Sequence, residues 1–204
     1  MIGTRHRSSL ILFPGLRIVV LAVTLALAPL ANQAAEWNID QLMHELAQTQ
    51  AGHARFVETK YLAMLEQPLE SSGELFYTAP DYLEKRTLKP KPESMVLDHG
   101  SLVITRGRRE KHVQLQDYPE LGAFIDSIRG TLAGDRQVLE RTYQLSIEGT
   151  AEHWVLELLP RDESMQSVVK SIRIAGAGTA VNSVEINQAD GDRSLMLIEE
   201  LPVP

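Results

Sequence analysis

The chain of 204 residues contains no cysteine. A protein without cysteine can form no disulfide, thiolate metal site or thiol nucleophile, so its sheet or its apolar core must hold the fold together. The same absence rules out attachment to a membrane through a lipidated cysteine at a processed N-terminus. We therefore expect neither a membrane-tethered lipoprotein nor a thiol enzyme.

Sequence motifs that would indicate an enzyme are missing as well. No two of the six histidines have the spacing of metal ligands beside a carboxylate on a helix, and no serine lies in a Gly-x-Ser-x-Gly elbow. The glycines at 176–178 lie between two strand-like runs and open no helix, so they lack the geometry of a phosphate loop. We expect no catalytic residue and no metal site. An esterase or acyltransferase that uses an unrecognised serine is the weakest alternative.

The N-terminal segment has the layout of a secretory signal peptide. Residues 1–17 contain three arginines and no acidic residue, residues 18–30 are almost wholly apolar, and small and polar residues follow. We predict a signal peptide over 1–35, with cleavage after Ala35. An uncleaved anchor helix is the alternative, but the apolar run is shorter than the roughly 20 residues that cross a membrane.

The predicted mature chain, 36–204, has the length of one domain. Loss of 1–35 leaves 17 basic residues against 27 acidic ones, a net charge of −10 compared with −7 for the whole chain. An acidic surface argues against binding to nucleic acid or adsorption to anionic lipid. We expect a soluble monomer in the periplasm.

Hydrophobic periodicity predicts an α+β domain of roughly ten strands. Asn38 and Gln41 form a capping-box-like start for an amphipathic helix that we expect to end at Gly52. A helix is predicted over 119–135, and a further short helix follows it. Regular short runs separated by turn residues indicate antiparallel meanders on both sides of this helical insertion.

The order of these segments resembles the LolA family, the periplasmic carriers of outer-membrane lipoproteins, and is closest to the LolA-related subgroup. The resemblance rests on "ARFVETK" (54–60), "SSGELFYTAPDYLEKRTLKP" (71–90) and "ESMVLDHGSLVI" (93–104), followed by the helical insertion and a second set of strands. It implies an antiparallel, incompletely closed β-barrel whose concave face is covered by helices. The family binds acyl chains between helices and sheet and has no cofactor or enzymatic activity. It receives cargo from an inner-membrane transporter and passes it to an outer-membrane receptor.

The resemblance assigns a hydrophobic cavity to the apolar faces of the two helices and to inward residues of the sheet. We predict that the following residues form this cavity and its lid: Leu42, Met43, Leu46, Phe56, Leu75, Tyr77, Leu83, Leu121, Phe124, Ile125 and Ile128. If Lys85 points inward, its ammonium group can reach the cavity mouth and contact an anionic head group; the alternative is an outward surface lysine. Since only 5% of residues are aromatic, aliphatic side chains should dominate the lining. Glycines at 122, 130 and 134 suggest a loosely packed lid.

The sequence departs from the family at two positions. The family's arginine, which ties the sheet to the helical lid, falls at Ala79, and an inward tryptophan falls near Lys85. Both departures suggest a cargo other than the general lipoprotein pool, such as a lipid, an acylated pigment or a glycolipid. The main alternative to a carrier is a non-catalytic β scaffold or sensor domain that binds a protein partner and has a dry core. The sequence names neither the cargo nor its donor and acceptor.

Overall fold

An antiparallel sheet of eleven strands forms the body of the protein in a computed structural model, which describes residues 37–202. The predicted signal peptide, 1–35, lies outside these residues. The strands are β1 (Ala51–Tyr61), β2 (Leu69–Thr78), β3 (Tyr82–Lys89), β4 (Glu93–Asp98), β5 (Ser101–Arg106), β6 (Arg109–Gln114), β7 (Tyr143–Thr150), β8 (His153–Pro160), β9 (Val169–Ala177), β10 (Ala180–Gln188) and β11 (Arg193–Glu200). Four α-helices lie in the described part of the chain: α1 (Ile39–Leu46), α2 (Pro119–Leu132), α3 (Arg136–Thr142) and α4 (Glu163–Gln166).

Two meanders meet at the centre of the sheet. The strand order is β6-β5-β4-β3-β2-β1-β11-β10-β9-β8-β7, so the first and last strands are neighbours and β6 and β7 are the two edges. Ala54 of β1 lies opposite Leu75 of β2 on one side and Glu200 of β11 on the other. Because β6 and β7 do not pair, the barrel is open. The predicted α+β open barrel is confirmed, with eleven strands instead of about ten.

Helix α1 begins as predicted and ends earlier. The Asn38 side chain accepts a hydrogen bond from the Gln41 N–H, and the Gln41 side chain accepts one from the Asn38 N–H, both at 3.1 Å. The predicted end at Gly52 is wrong, because the apolar helical spacing stops at Leu46 and Gly52 lies in β1 opposite Tyr77. From that point burial alternates along the strand, which is the pattern of a sheet with one covered face.

The helical insertion is more tightly packed than its glycines suggested. Helix α2 ends at Leu132 because Gly134 takes a positive φ of 64°. A Cβ atom at Gly134 would lie 2.1 Å from the Met43 carbonyl oxygen, and one at Gly130 would lie 2.9 Å from the Leu139 side chain. These two glycines allow α2, α3 and α1 to approach each other closely. They do not loosen the insertion.

Two other segments differ from the sequence expectation. The strand predicted over 111–118 ends at Gln114, and a 3-10 turn at Leu115–Asp117 leads into α2. The one-turn helix α4 was not predicted. Its start is capped by Asp162, whose side chain accepts from the Met165 N–H at 2.8 Å, and Met165 itself is buried. Both segments are too short to show a period in the sequence.

Buried apolar residues form two separate cores on the concave face. We call the larger one, between α1, α3 and strands β7–β9, the main core. It consists of Leu42, Met43, Leu46, Leu139, Tyr143, Trp154, Leu156, Leu158, Met165, Val169, Ile172 and Ile174. The small core lies on β4–β6 beneath α2 and consists of Leu97, Leu102 and Val113. The strands at the centre of the sheet lie between these two cores.

Candidate functional site: an apolar cavity beneath helix α2

A cavity of about 840 Å³ lies between the central strands and helix α2. This volume is within the roughly 300–1,000 Å³ of typical small-ligand sites. The sheet contributes mostly aliphatic residues to its lining: Leu75, Leu83, Met95, Val181, Val184, Ile186, Met196 and Ile198. Helix α2 contributes Leu121, Phe124, Ile125, Ile128 and Leu132.

Helix α2 directs its apolar face towards this cavity. Leu121, Phe124, Ile125 and Ile128 are only half-buried, whereas the buried residues of the helix are Ser127, Gly130 and Thr131. The two hydroxyl groups are satisfied within the helix, since Ser127 Oγ donates to the Phe124 carbonyl at 2.6 Å and Thr131 Oγ donates to the Ser127 carbonyl at 2.7 Å. An amphipathic helix ordinarily packs its apolar face against the core. Here the most buried face consists of small residues. Phe124 touches the main core, and Leu121 and Ile125 touch the small core, but all three also line the cavity with Ile128.

A charged cluster interrupts the apolar floor of the cavity. Glu58, on β1, is only 5% exposed. It accepts hydrogen bonds from Lys85 Nζ at 2.5 Å, Ser194 Oγ at 2.8 Å and Ser71 Oγ at 3.3 Å, and Lys60 Nζ lies 3.5 Å away. We call these five residues the Glu58 cluster. Burial alone would raise the pKa of Glu58, but the charge and hydrogen bond of Lys85, with Ser194 and Lys60, hold it below its ordinary value.

Tyr77 places a second polar group on the cavity floor. Its side chain is 6% exposed, and the residue lines the cavity. Among residues 37–202 the hydroxyl has no hydrogen-bond partner. Burial, with the nearby charge of Asp81, raises the pKa of Tyr77, so the group is a neutral donor at ordinary pH. A buried donor without a partner is uncommon in native proteins and indicates room for an acceptor.

An ion pair ties α2 to the turn between β2 and β3. Arg129 donates from Nη1 to Asp81 at 2.6 Å and from Nη2 to Asp126, one turn earlier in the helix, at 2.8 Å. Burial acts to lower the pKa of Arg129, but the two carboxylates more than offset it and raise the pKa. The three residues border a smaller crevice of about 400 Å³. Since the side chains of Arg129 and Asp81 are 31% and 28% exposed, solvent screens this pair in part.

Two features are absent from residues 37–202. Within 37–202, no three side chains of the metal-ligating types come together. No helix in that range combines the length and the apolar character needed to cross a bilayer. The candidate site is the cavity of about 840 Å³, with the polar groups that line it.

A family model for "Outer membrane lipoprotein carrier protein LolA-like" matches residues 31–200, which is most of the chain. The chain belongs to this LolA-like family. The resemblance seen in the sequence is therefore confirmed. A comparison with curated proteins finds no match.

Several solved structures are similar to this LolA-like protein. A LolA superfamily protein from Nitrosomonas europaea is 8% identical, with a TM-score of 0.45 over 82% of this chain and 96% of that chain. A chain of the MucA/MucB complex from Pseudomonas aeruginosa is 14% identical, with a TM-score of 0.47 over 81% of this chain and 58% of that chain. The lipoprotein LppX from Mycobacterium tuberculosis is 9% identical, with a TM-score of 0.40 over 80% and 97%.

Most residues predicted to form the cavity of this LolA-like protein lie along it. The lining includes Leu46, Leu75, Tyr77, Leu83, Leu121, Phe124, Ile125, Ile128 and the predicted head-group residue Lys85. The structure thus brings together the strand residues and α2 residues that the sequence placed 40 or so positions apart. Their contact with cargo stays a prediction.

Three predicted residues lie elsewhere. Leu42 and Met43 belong to the main core, where the face of α1 packs against α3 and β7–β9, so they do not line the cavity. Phe56 points to the concave side but is 2% exposed, and the Lys85 ammonium lies 4.9 Å from the centre of its ring. Helix α1 therefore packs mainly into the body of the protein and reaches the cavity at Leu46, whereas α2 lies over the cavity along most of its apolar face.

Sequence reasoning missed the contribution of the last two strands. Five aliphatic residues of β10 and β11 line the cavity: Val181, Val184, Ile186, Met196 and Ile198. Both strands were predicted from short runs bounded by turn residues. The missing information was the strand order, because only the pairing of β11 with β1 brings these residues to the cavity floor.

The structure also changes the interpretation of Ala79. Ala79 lies in the β2–β3 turn, where its N–H donates to the Gln50 carbonyl at 2.9 Å, and it offers no polar tie to the helix. Asp81, two residues later, makes that tie with Arg129. In this LolA-like protein the arginine of the sheet–helix tie is on the helix and the acid is on the turn.

Proposed function

We propose that this LolA-like protein is a non-catalytic carrier that binds the acyl chains of a lipoprotein or another lipophilic molecule in the cavity. The observation that carries the proposal is the orientation of α2, whose apolar residues border a cavity of about 840 Å³. An apolar surface facing water is unfavourable by roughly 25 cal/mol per Å². An acyl chain bound in the cavity would cover the apolar surface of the sheet on one side and that of α2 on the other.

The energetics of exchange suit transport. Moving an acyl chain out of water gains about 0.8 kcal/mol per methylene, so a long chain gains on the order of 10 kcal/mol. A membrane interior offers a similar gain, and transfer between membrane and cavity is then close to neutral. Such a protein can both accept and release its cargo without an energy source of its own.

The sequence and the family support one cellular setting for this carrier. The predicted signal peptide supports export to the periplasm, and the acidic surface supports a monomer that does not adsorb to anionic membranes. By analogy with the LolA family, the donor is an inner-membrane transporter and the acceptor is an outer-membrane receptor, so that cargo moves towards the outer membrane. The aliphatic lining suits the acyl chains of a lipoprotein, a lipid or another acylated molecule.

A protein-binding role is the second candidate, and one surface favours it. The connection between β1 and β2 exposes a run of apolar side chains: Tyr61 is 45% exposed, Met64 87%, Leu65 44% and Leu69 50%. Exposed apolar patches often mark protein interfaces. A scaffold or sensor domain would use this patch and would leave the cavity without lipid.

The deciding experiment is mass spectrometry of the organic extract from protein purified from cells that express the full chain. We expect an acyl-chain molecule in the wild type and its loss in Ile128→Asp, because this residue lines the cavity but belongs to neither core. Gln137→Asp, on the exposed surface of α3, is the matched control and should retain the lipid. An extract without lipid, together with no uptake of a fluorescent fatty acid by the wild type, would contradict the carrier and favour the scaffold.

A further inference from the structure

We propose that the Glu58 cluster binds the anionic head group of an amphiphilic cargo through Lys60 and Lys85, which Glu58 holds in place. This inference rests on the proposed function, because it names the chemical class of molecule that the cavity accepts. The class is a single- or double-chain amphiphile whose head group has carboxylate or phosphate oxygens.

The position of the cluster sets it apart from a structural ion pair in a dry core. Glu58, Lys60, Lys85 and Ser194 all line the cavity. Their neighbours on the same face are apolar, since Lys85 lies opposite Leu75 and Met95 in the sheet. Charges buried in apolar surroundings are costly, and a packed apolar pair in their place is often as stable or more so. A ligand that binds to the charged groups of the Glu58 cluster would explain why they line the cavity.

The hydrogen-bond inventory shows which groups have capacity left. The Glu58 carboxylate accepts at both oxygens: Ser194 and Lys60 lie at one, and Lys85 and Ser71 at the other. An ammonium group has three donors, and for Lys60 and Lys85 the described contacts use one each, to Glu58. The acceptor is thus saturated, whereas both ammonium groups can donate further. A ligand for this site must bring acceptors.

The net charge of the Glu58 cluster also favours an anionic ligand. Two ammonium groups and one carboxylate leave an excess of one positive charge. The other carboxylates along the cavity are engaged or distant: Glu84 accepts from Tyr82 and Arg86, Glu120 accepts from Ser164, and Glu200 lies opposite Ala54, six positions along β1 from Lys60. An anionic head group would neutralise the excess next to Lys85, whose side chain is 24% exposed, and solvent would screen the contact with the more exposed Lys60 in part.

The test compares ligands that share one chain and differ in the head group. Protein from cells expressing the full chain is stripped of lipid and loaded with the neutral probe N-phenyl-1-naphthylamine. Hexadecanol, hexadecanoate and hexadecyl phosphate then compete for the cavity at pH 8. We expect both anions to bind several-fold more tightly than the alcohol, and the two anionic arms distinguish a fatty acid from a phosphate lipid as the preferred source of the charge.

The variants separate charge from packing. Lys85→Met should lower the affinity for both anions about tenfold and change that for hexadecanol less than twofold; Lys60→Met should give a smaller loss because Lys60 is the more exposed of the two. Lys170→Met, at an exposed position on β9, is the control and should change nothing. Since Lys85→Met removes the shortest ion pair of the buried Glu58, the double variant Glu58→Gln with Lys85→Met keeps a folded protein available and should lose the same preference for anions.

Two results would overturn this inference. Equal affinities of the wild type for hexadecanol and the anions would show that the cluster does not recognise charge, and so would an equal loss for all three ligands in Lys85→Met and in the double variant. Failure of the wild type to bind any of the three, hexadecanol included, would reject the carrier function itself. The two failures are therefore distinguishable.

Discussion

The main core and the cavity are built on the same sheet and differ almost completely in how they are filled. In the main core, Leu156, Leu158 and Ile172 are fully buried. Met196 and Ile198 lie nearer the centre of the sheet and are only half-buried. A central position is ordinarily the most protected one in a sheet. The comparison shows that burial in this protein is decided by the helix above each strand and not by the strand's place in the sheet.

The side chains of the helices account for the difference. Helix α1 and helix α3 direct large residues such as Leu42, Leu46 and Leu139 into the main core. Helix α2 presents Ser127, Gly130 and Thr131 to its packed side, so it can lie close to α3 while its apolar face remains over the cavity. Helix α3 therefore packs into the main core, whereas the neighbouring helix α2 leaves the cavity open beneath it.

The largest expected effect comes from truncating one leucine in each region. Leu156→Ala should lower the free energy of unfolding by about 2–5 kcal/mol, because a fully buried leucine leaves a cavity behind. Leu75→Ala should cost about 1 kcal/mol or less, because Leu75 already borders a cavity. Urea denaturation of lipid-free protein measures both values. Similar losses would mean that the cavity region is packed in solution.

A smaller effect is expected from adding volume to matched isoleucines. Ile172→Phe overfills the main core and should cost about 1–3 kcal/mol. Ile198→Phe extends into the cavity and should be nearly neutral for stability, while it lowers the amount of lipid that co-purifies. Urea denaturation and lipid extraction of the two variants test this. A destabilised Ile198→Phe with unchanged lipid content would contradict it.

The smallest expected effect is the difference in stability lost when each of two buried tyrosines is changed to phenylalanine. The Tyr143 hydroxyl donates to the Ala123 carbonyl at 3.3 Å, and Tyr143→Phe should cost about 1 kcal/mol. Tyr77→Phe removes a hydroxyl without a partner in the described residues and should be neutral or slightly stabilising in lipid-free protein. Burial raises the pKa of Tyr143 to about 12, so both phenols are neutral when stability is compared at pH 7. A loss for Tyr77→Phe that matches the loss for Tyr143→Phe would show that its hydroxyl is already bonded.

Sequence patterns predicted the elements of the fold far better than the boundary between core and cavity. The strands and α2 followed from periodicity, and the capping box of α1 followed from Asn38 and Gln41. Leu42 and Leu121 occupy equivalent places in two amphipathic patterns, yet one is in the main core and the other lines the cavity. The pattern reports which face of a helix is apolar, and only the tertiary arrangement decides whether another surface fills the space in front of it.

Polar residues of the site were the hardest to predict for a related reason. Lys85 was considered as an inward residue from the alternation along β3. Glu58 was not, because a glutamate in an alternating strand ordinarily lies on the solvent face. Two of its partners, Lys85 of β3 and Ser194 of β11, are distant in sequence, and Ser194 becomes its neighbour only when the last strand pairs with the first.

The pairing of β1 with β11 has a consequence for when the protein can fold. The register joins Ala54 to Glu200, so the central ladder closes the longest loop in the domain, and contacts of such sequence separation slow folding. Neither meander alone contains the cavity floor. A chain that emerges N-terminus first would remain without the cavity floor until β11 had appeared, so an apolar molecule could not enter the cavity before that strand is available.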